Sequence, residues 1–477
     1  MTSSLNRSFP WRDFLKRLAI IAIPVALQNM LTTTGSMIDT MMIAGLGELS
    51  VGAVGLCGQF SSLMFSCYWG FVGGGMLFFA QYWGAKDEDG VDRSYGVTLT
   101  CMMTVAMIFC LMAVCVPDLV MTIYTDKASI HEIGIQYLRI IGFAYPLQVF
   151  SMAMSALLRS TDRVRIPLYA SVASVASNIF LNWVLIGGNL GAPALGVRGA
   201  AVATVCADGI NVLVCMILAH LSGYKHLFRF RNHFRWTPVW LKEYFKKCFP
   251  IICNELLIGV GNAVISIVLG RQSEQAIAAI AVFRTLEGMV IGFFAGFSNA
   301  ASVLVGTCVG AGELRTAYER AKRIVYLCCG TIFLVCSAMF LARYPILTVM
   351  GLTGESYRIG EMLVLIYGIA AVIRMGNWTQ NDTYRSAGDA TTGTVLEIAF
   401  MYAMLLPAVC LSGLVFHWPI WAVFLCCYID EPIRFMIMQR HMYSGKWIRP
   451  VTPQGKAALP AFMAELTAGK KNTSSKR

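Results

Sequence analysis

The sequence predicts an all-α integral membrane protein with twelve transmembrane helices in two pseudo-symmetric lobes of six helices each. Three observations predict this fold: the composition, the apolar runs of membrane-spanning length, and a repeat between the two halves. The chain has 477 residues, 57% of them hydrophobic and 13% charged, whereas soluble globular proteins carry about 25% charged residues. A soluble fold of this length needs a more polar surface, so the composition argues against a cytosolic enzyme, a disordered chain and a disulfide scaffold.

Twelve runs of the chain reach the length of about 20 mostly apolar residues that a spanning helix needs. In the first half they lie near residues 18–43, 52–83, 96–117, 133–157, 166–188 and 198–221. In the second half they lie near residues 248–270, 276–309, 324–345, 360–381, 393–415 and 418–440.

Lysine and arginine are concentrated on one side of the predicted spans. They cluster at residues 7–17, 159–165, 225–247, 315–323 and 434–449, and in the tail that follows. The opposite loops 45–51 and 188–197 contain none. Under the positive-inside rule this pattern, with an even span count, predicts that both termini are cytoplasmic in the plasma (inner) membrane. The net charge of +12 is therefore interpreted as a topology signal, and no nucleic-acid partner is expected because no recognition motif accompanies it.

These features divide the chain into five segments. They are a cytoplasmic N-terminus (1–17), an N-lobe (18–222), a basic cytoplasmic linker (223–247), a C-lobe (248–441) and a basic cytoplasmic tail (442–477). From residue 451 onward the tail is polar and basic, and we expect it to be loosely ordered.

The two halves of the chain repeat in one register. A gapless shift of 226 residues aligns several matching pairs: Pro24 with Pro250, Gly35 with Gly261, Gly84-Ala85 with Gly310-Ala311, and Arg159-Ser160 with Arg385-Ser386. Six spans per half is an even number, so both halves enter the membrane in the same direction. Parallel repeats of this kind predict a cavity between two lobes that rock to open on alternate sides, as in many carriers.

Several segments in this order resemble multidrug and toxic compound extrusion (MATE) transporters. They include Ser36-Met37-Ile38-Asp39-Thr40 before Gly45-Leu46-Gly47, Gln81-Tyr82-Trp83-Gly84-Ala85-Lys86, Leu158-Arg159-Ser160, and Arg385-Ser386-Ala387-Gly388-Asp389. The resemblance runs from about residue 18 to residue 450. It implies a V-shaped, two-lobe antiporter that exports organic, often cationic, amphiphiles in exchange for protons or sodium ions.

Ionisable groups inside a bilayer are costly unless they are paired or hydrated, so each predicted one needs a reason. Asp39 on span one matches the family's first-helix aspartate and is a candidate to bind and release the coupling ion in the N-lobe. Its structural alternative is an interfacial aspartate bonded to the hydroxyls of residues 32–36. Asn178 and Asn182 lie four apart on one face of span five. Some relatives carry an aspartate at the second position, and asparagine does not titrate, so interhelical hydrogen bonding is an equal alternative there.

Four charged residues are candidates in the C-lobe. Glu255 on span seven is a candidate to bind the coupling ion. Relatives with a sodium site there also use a carboxylate on span ten, where this chain has Arg374 and no carboxylate at mid-depth, which favours a proton-coupled or structural Glu255. Arg284 and Glu287 lie three apart on span eight, so a structural ion pair is the first interpretation and a cationic substrate on Glu287 the second. The sequence leaves open whether Arg374 pairs with Glu255 or Glu287.

Three motifs typical of ATP use or of hydrolytic catalysis are missing from the sequence. It has no G-x-x-x-x-G-K-[ST] phosphate loop, no H-E-x-x-H and no G-x-S-x-G, so we expect neither direct use of ATP nor an enzyme. None of the sixteen cysteines has metal-ligand spacing, and we expect no metal or other cofactor besides the coupling proton or sodium ion.

Three functional hypotheses follow. The first is a gradient-driven exporter of small organic molecules that works as a monomer. The second is a flippase for lipid-linked saccharides, which needs a strongly cationic cavity and is opposed by the few mid-span cations. The third is a membrane enzyme or receptor, which is opposed by the short outer loops.

Overall fold

The computed structural model describes residues 9–474, and most of them are helical. The predicted end segments 1–17 and 442–477 extend beyond these residues, at residues 1–8 and 475–477. The helices of the first half are α1 Trp11–Ala44, α2 Glu48–Gly84, α3 Glu88–Cys115, α4 Pro117–Tyr124, α5 Ala128–Ile141, α6 Ala144–Ser160, α7 Arg165–Gly187, α8 Val197–Leu221 and α9 Phe230–His233. Those of the second half are α10 Pro238–Leu269, α11 Glu274–Gly310, α12 Leu314–Leu341, α13 Arg343–Val349, α14 Gly354–Ser386, α15 Thr392–Phe400, α16 Leu406–Cys410, α17 Ile420–Cys426, α18 Glu431–Ser444 and α19 Pro453–Ser474.

Each of the twelve predicted spans falls on a helix or on consecutive helices. By length and composition, ten of the described stretches are long and apolar enough to cross a membrane, among them Thr392–Val415, in which π-helical turns alternate with α15 and α16. The pair α5 and α6, bent by 48° at its junction, makes an eleventh. The last predicted span, 418–440, is divided into α17 and α18 and carries Asp430, Glu431 and Arg434. This span therefore differs from the continuous apolar helix that the sequence predicted.

Helices of the two halves pack directly against each other. Helix α1 contacts α11, and α2 contacts α10 and α11. At one end of the bundle α2 and α11 cross in backbone contact, because Gly84 lies against the backbone of Thr307 and Gly310 lies against that of Gln81. Gln81 and Thr307, like the two glycines, are equivalent under the 226-residue shift, so the crossing is pseudo-symmetric.

This crossing lies at the end of the bundle that carries the predicted basic loops, which we call the basic end. There the Gln81 side chain donates to the carbonyl of Ser386 over 2.8 Å and accepts from the backbone N–H of Val451, also over 2.8 Å. One buried glutamine thus joins the first half, the second half and the start of the tail.

The tail is more ordered than the sequence predicted. Instead of a loosely ordered segment, residues 453–474 form helix α19, which contacts α12 and in which Phe462 and Leu466 are buried. The Phe462 ring lies 5.9 Å from that of Tyr318, and Arg315 pairs with Glu465 at 3.5 Å. The apolar residues of α19 supply the contacts that hold the helix in place. The average composition of the tail is basic and polar, so it did not indicate these contacts.

The loop between α14 and α15 is held at the basic end by Asp389, whose side chain is fully buried. Its carboxylate accepts from Thr392 Oγ1 at 2.7 Å, lies 2.9 Å from His441 Nε2, and pairs with Arg449 at 3.2 Å. Burial alone would raise the pKa of Asp389, but the bonds from His441 and Thr392 and the charge of Arg449 outweigh it and lower that pKa to about 2.

We expect Asp389→Asn to lower the free energy of unfolding at pH 7 by about 2 kcal/mol. The folded-state pKa of about 2 lies below the ordinary value of 3.8. The stabilisation is therefore complete above the ordinary value and is lost as the pH falls through the folded value. Chemical unfolding in detergent should show a gap between wild type and variant at pH 7 that narrows as the pH falls toward 2. The exposed Asp126→Asn is the matched control, expected to stay within about 0.5 kcal/mol of wild type, and an equally stable Asp389→Asn would contradict the assignment.

Candidate functional site

A cavity of about 720 Å³ lies between the two halves. The first half contributes residues of α1, α2 and α6, and the second half contributes α10, α11, α14, α15, α17 and α18. Much of the wall is apolar, and aromatic residues line it, including the exposed Trp69 and Trp378 and the more buried Phe283, Phe424 and Tyr428. A cavity of this size and lining suits an amphiphilic small molecule.

The wall of the cavity also carries many charges of both signs. Its carboxylates are Glu255, Glu287, Asp382, Glu397, Asp430 and Glu431. Its guanidinium groups are Arg159, Arg284, Arg374, Arg385 and Arg434. Among the described lining residues, six acids therefore face five arginines. The sequence predicted few cations at this depth, and it missed Arg159, Arg385 and Arg434 as cavity residues because each lies near a helix end.

The predicted ion pair between Arg284 and Glu287 is not formed. Glu287 Oε1 instead accepts from Arg374 at 2.8 Å and lies 3.4 Å from the Tyr428 hydroxyl. Arg284 is exposed and donates to Ser266 at 3.1 Å. Arg374 approaches Glu287 from the neighbouring helix α14 and stacks 5.5 Å from the Tyr428 ring. This cross-helix pair answers the question that the sequence left open about Arg374.

Glu255 pairs with Arg385 at 3.1 Å, at the C-terminal end of α14. The same guanidinium lies 3.8 Å from Asp382 and 3.9 Å from Glu397. The side chain of Asn254 donates to Glu397 at 3.1 Å. We call Glu255, Asp382, Arg385 and Glu397 the C-half cluster: three carboxylates around one arginine.

A second arginine extends this cluster along the broken span. Arg434 lies 2.7 Å from Glu431, 3.6 Å from Asp430 and 3.7 Å from Glu397. Glu397 thus connects Arg385 to Arg434. Because each charge has an opposite neighbour, the desolvation cost of these buried groups is offset in part.

The N-half candidates come together in a separate place. Asn182 Nδ2 donates to Asp39 Oδ1 at 2.7 Å and lies 3.1 Å from Asn178 Oδ1, and Asn178 contacts Thr204 at 3.4 Å. Helix α7 presents both asparagines on one face toward α1 and α8. Asp39 is therefore bonded to Asn182 and not to the hydroxyls of residues 32–36, which was its structural alternative. None of Asp39, Asn178 and Asn182 lines the large cavity.

The sequence analysis missed five acidic residues: Asp430 and Glu431 at the interruption of the last span, and Asp382, Glu397 and Asp208. Asp382 lies one residue beyond the predicted span ten, although its spacing of three from Arg385 marked it. Glu397 is the fifth residue of an apolar run, and a single charge in such a run does not indicate a site. Asp208 on α8 accepts from Gln148 at 2.8 Å. It follows Thr204 by one helical turn, so it adds a carboxylate on α8 one turn from the hydrogen-bonded series Asp39, Asn182, Asn178 and Thr204.

Among the described residues no group of three or more His, Cys, Asp or Glu side chains is arranged to hold a metal ion, and the sixteen cysteines are all free.

Known proteins match most of the chain. The family model described as MatE matches residues 24–184 and 250–424. A relative called probable multidrug resistance protein YoeA, from Bacillus subtilis, is 24% identical and the match covers 85% of this chain and 88% of that protein. A probable multidrug resistance protein NorM, from Agrobacterium fabrum, is 24% identical over 70% of this chain and 72% of its own.

The fold also has solved counterparts. An outward-facing multidrug resistance MATE family transporter of the MOP superfamily superposes with a TM-score of 0.79, at 16% sequence identity, over 92% of this chain and all of its own. At this identity the likeness concerns the fold, and it confirms the predicted all-α architecture of two pseudo-symmetric lobes.

Proposed function

The chain belongs to the MatE family of membrane transporters, and from that membership we propose that it is a secondary active antiporter that exports organic, amphiphilic compounds carrying a positive charge. The observation that carries the proposal is the cavity between the halves, whose wall combines carboxylates with aromatic rings. Aromatic faces attract organic cations, and a carboxylate supplies the opposing charge. Glu287, held by Arg374 and Tyr428, is the acid best placed among rings for this role.

Exchange follows if the coupling ion and the substrate need the same carboxylates. Around the C-half cluster, Arg385 and Arg434 together face the five carboxylates of Glu255, Asp382, Glu397, Asp430 and Glu431. A further positive charge is therefore favoured there. A cation bound in the cavity and a coupling ion bound on Glu255 or Asp382 compete for that excess. Because each ligand lowers the affinity for the other, release of one drives binding of the other.

We propose the proton as the coupling ion, with sodium as the alternative outcome of the experiment. A proton neutralises a carboxylate without displacing its partners. A sodium ion at Glu255 would have to displace Arg385 or share its ligand oxygens with it. The ion gradient supplies about 2.3 kcal/mol per charge for each 100 mV, which is an adequate scale for uphill export.

The transport unit proposed is a single chain, because one chain supplies all the walls of the cavity described above. We propose that it lies in the plasma (inner) membrane with both termini in the cytoplasm, so that the basic end is the cytoplasmic one. Its partners are then the bilayer and small organic substrates.

Flipping of lipid-linked saccharides is the less favoured function. Such a cargo carries a negatively charged phosphate linker and needs a cavity of net positive charge. Here the acids outnumber the arginines, and three of those acids surround Arg385.

Asp39, which matches the family's first-helix aspartate, is proposed as a second proton site in the N-half, and we expect Asp39→Asn to reduce proton-coupled dye export at least tenfold while leaving membrane insertion intact. Asparagine keeps the shape of the side chain and the oxygen that accepts from Asn182. It removes the carboxylate, which is the group that would bind and release the proton. Reconstituted vesicles with separately imposed proton and sodium gradients, loaded with a fluorescent organic cation, measure this effect. The matched control is Asp126→Asn, which alters an exposed loop carboxylate.

Unchanged export by correctly inserted Asp39→Asn protein would remove Asp39 from the coupling step. Export by the wild type with a sodium gradient alone would replace the proton by sodium. A wild type that moves no organic cation under either gradient would contradict the proposed function itself.

A further inference from the structure

Arg159 and Arg385 occupy the same place in the two halves. They align under the 226-residue shift, each lies near the C-terminal end of its helix, and both line the cavity. The neighbouring contacts are also equivalent: Gln28 donates to Ser171 at 2.9 Å, as Asn254 donates to Glu397 at 3.1 Å. The two arginines can therefore be compared position by position.

The surroundings of the two arginines differ in charge. The positions equivalent to Glu255, Asp382 and Glu397 are occupied in the first half by Asn29, Ala156 and Ser171. Arg385 therefore has three carboxylates at these positions, and Arg159 has none.

Arg159 consequently has only neutral partners among residues 9–474. Its Nη2 donates to Gln28 Oε1 at 2.8 Å, and its Nη1 lies 3.5 Å from Asn299 Oδ1, at the limit of a hydrogen bond. Its Nε is buried and has no partner within the described part of the chain. The residue is 7% exposed, so water compensates its charge poorly. A buried guanidinium without a counter-charge is costly, and an anionic group placed beside it relieves that cost.

Arg284 shows that this situation is specific to Arg159. It also lines the cavity without an ion-pair partner among the described residues, but its side chain is exposed and can be hydrated. The remaining cavity arginines, Arg374, Arg385 and Arg434, each lie within 4.0 Å of a carboxylate.

Arg159 and the C-half cluster lie close together along α11. Asn299 contacts Arg159, and the preceding residue, Ser298, donates to the carboxylate of Asp382. Since Ser298, Asn299, Arg159 and Asp382 all line the cavity, one small molecule there can reach both Arg159 and Asp382.

We propose that the cavity binds zwitterionic amphiphiles, with the substrate's carboxylate on Nη1 of Arg159 and its cationic group on the acids of the C-half cluster. This inference rests on the proposed function and narrows its substrate class. An organic cation without an anionic group uses only the acidic side of the site. The zwitterion uses both sides, and an arginine–carboxylate contact is among the stronger charge-assisted bonds.

A matched pair of dyes tests the proposal: a rhodamine with a free carboxylate and the methyl ester of the same dye. Binding is measured by fluorescence polarisation on the purified full-length protein, and transport is measured in proteoliposomes. We expect the wild type to bind the acid at least about tenfold more tightly than the ester, as a bond to a charged group predicts. Arg159→Gln should abolish that preference and leave binding of the ester within about twofold of wild type, since the ester makes no use of the charge. Arg284→Gln is the matched control, and it should leave the ratio between acid and ester unchanged.

Equal affinity of the wild type for acid and ester would overturn the proposal, and this comparison needs no variant. An equal loss of affinity for both dyes in Arg159→Gln would also overturn the proposal, because that result would assign Arg159 a structural role between α1, α6 and α11. A preference for the acid in binding, without transport of either dye under any gradient, would support the anion site while contradicting the proposed antiport.

Discussion

Replacing Arg385 by methionine is expected to lower the free energy of unfolding by about 3–5 kcal/mol, because it leaves uncompensated charges in the protein interior. The guanidinium lies 3.1 Å from Glu255 and within 4.0 Å of Asp382 and Glu397. Without it the three carboxylates, each only about a quarter exposed, repel one another on the cavity wall. Thermal unfolding in detergent and the yield of monodisperse protein measure the loss.

A compensating change separates this electrostatic cause from lost packing. Adding Glu255→Gln to Arg385→Met removes one of the three negative charges and should recover part of the stability. Arg163→Met, at an exposed arginine near the end of α6, is the matched control and should change the unfolding free energy by less than about 0.5 kcal/mol. If the double variant were less stable than Arg385→Met alone, charge compensation by Arg385 would be the wrong explanation.

Gly310→Ala is expected to separate α2 from α11 at the basic end and to lower stability by about 1–3 kcal/mol, as overpacking does. A Cβ at this position would overlap the carbonyl oxygen of Gln81. The obstacle is backbone, so no side-chain rotation relieves it. The bond between Gln81 and Ser386 lies beside the crossing and should weaken with it, which should also reduce transport. Thermal unfolding and vesicle transport assays measure the two effects.

Gly330→Ala is the control for this prediction. Gly330 also lies inside a long helix, α12, but a Cβ there would meet nothing within 4 Å. Since alanine favours helix over glycine by about 1 kcal/mol, this variant should be as stable as wild type or more stable. If Gly310→Ala behaved in the same way, the close crossing would not be what holds the halves together.

The positions of the helices could be predicted from the sequence, because a bilayer imposes a minimum apolar length that can be counted along the chain. The repeat of six spans could be predicted for the same reason, together with matched residues such as Gly84 and Gly310. The interruption of the last span, at residues 418–440, could not be predicted in this way. A short apolar run before Asp430 and a mixed run after it were counted as one helix, and only tertiary contacts show that the charges belong to a cavity wall.

The partners of the charged residues could not be predicted, because they depend on which helices meet. Spacing correctly placed Asn178 and Asn182 on one face of α7. Spacing also allowed Arg284 and Glu287 to face each other, but Arg374 on a different helix lies closer to Glu287. Predicting that contact requires the rotation of α14 about its axis, which no local pattern specifies.

The interruption between α17 and α18 constrains how the protein can move. At residues 427–430 the backbone leaves the regular helix, so some of its N–H and C=O groups lack the usual intrahelical bonds. Acyl chains offer no hydrogen bonds, and irregular backbone at membrane depth is tolerated only within protein or against water. This stretch of chain must therefore stay hydrated or covered in every state that the transporter visits. Any rotation of the second lobe that brought Tyr428 and Asp430 round to the lipid would be forbidden.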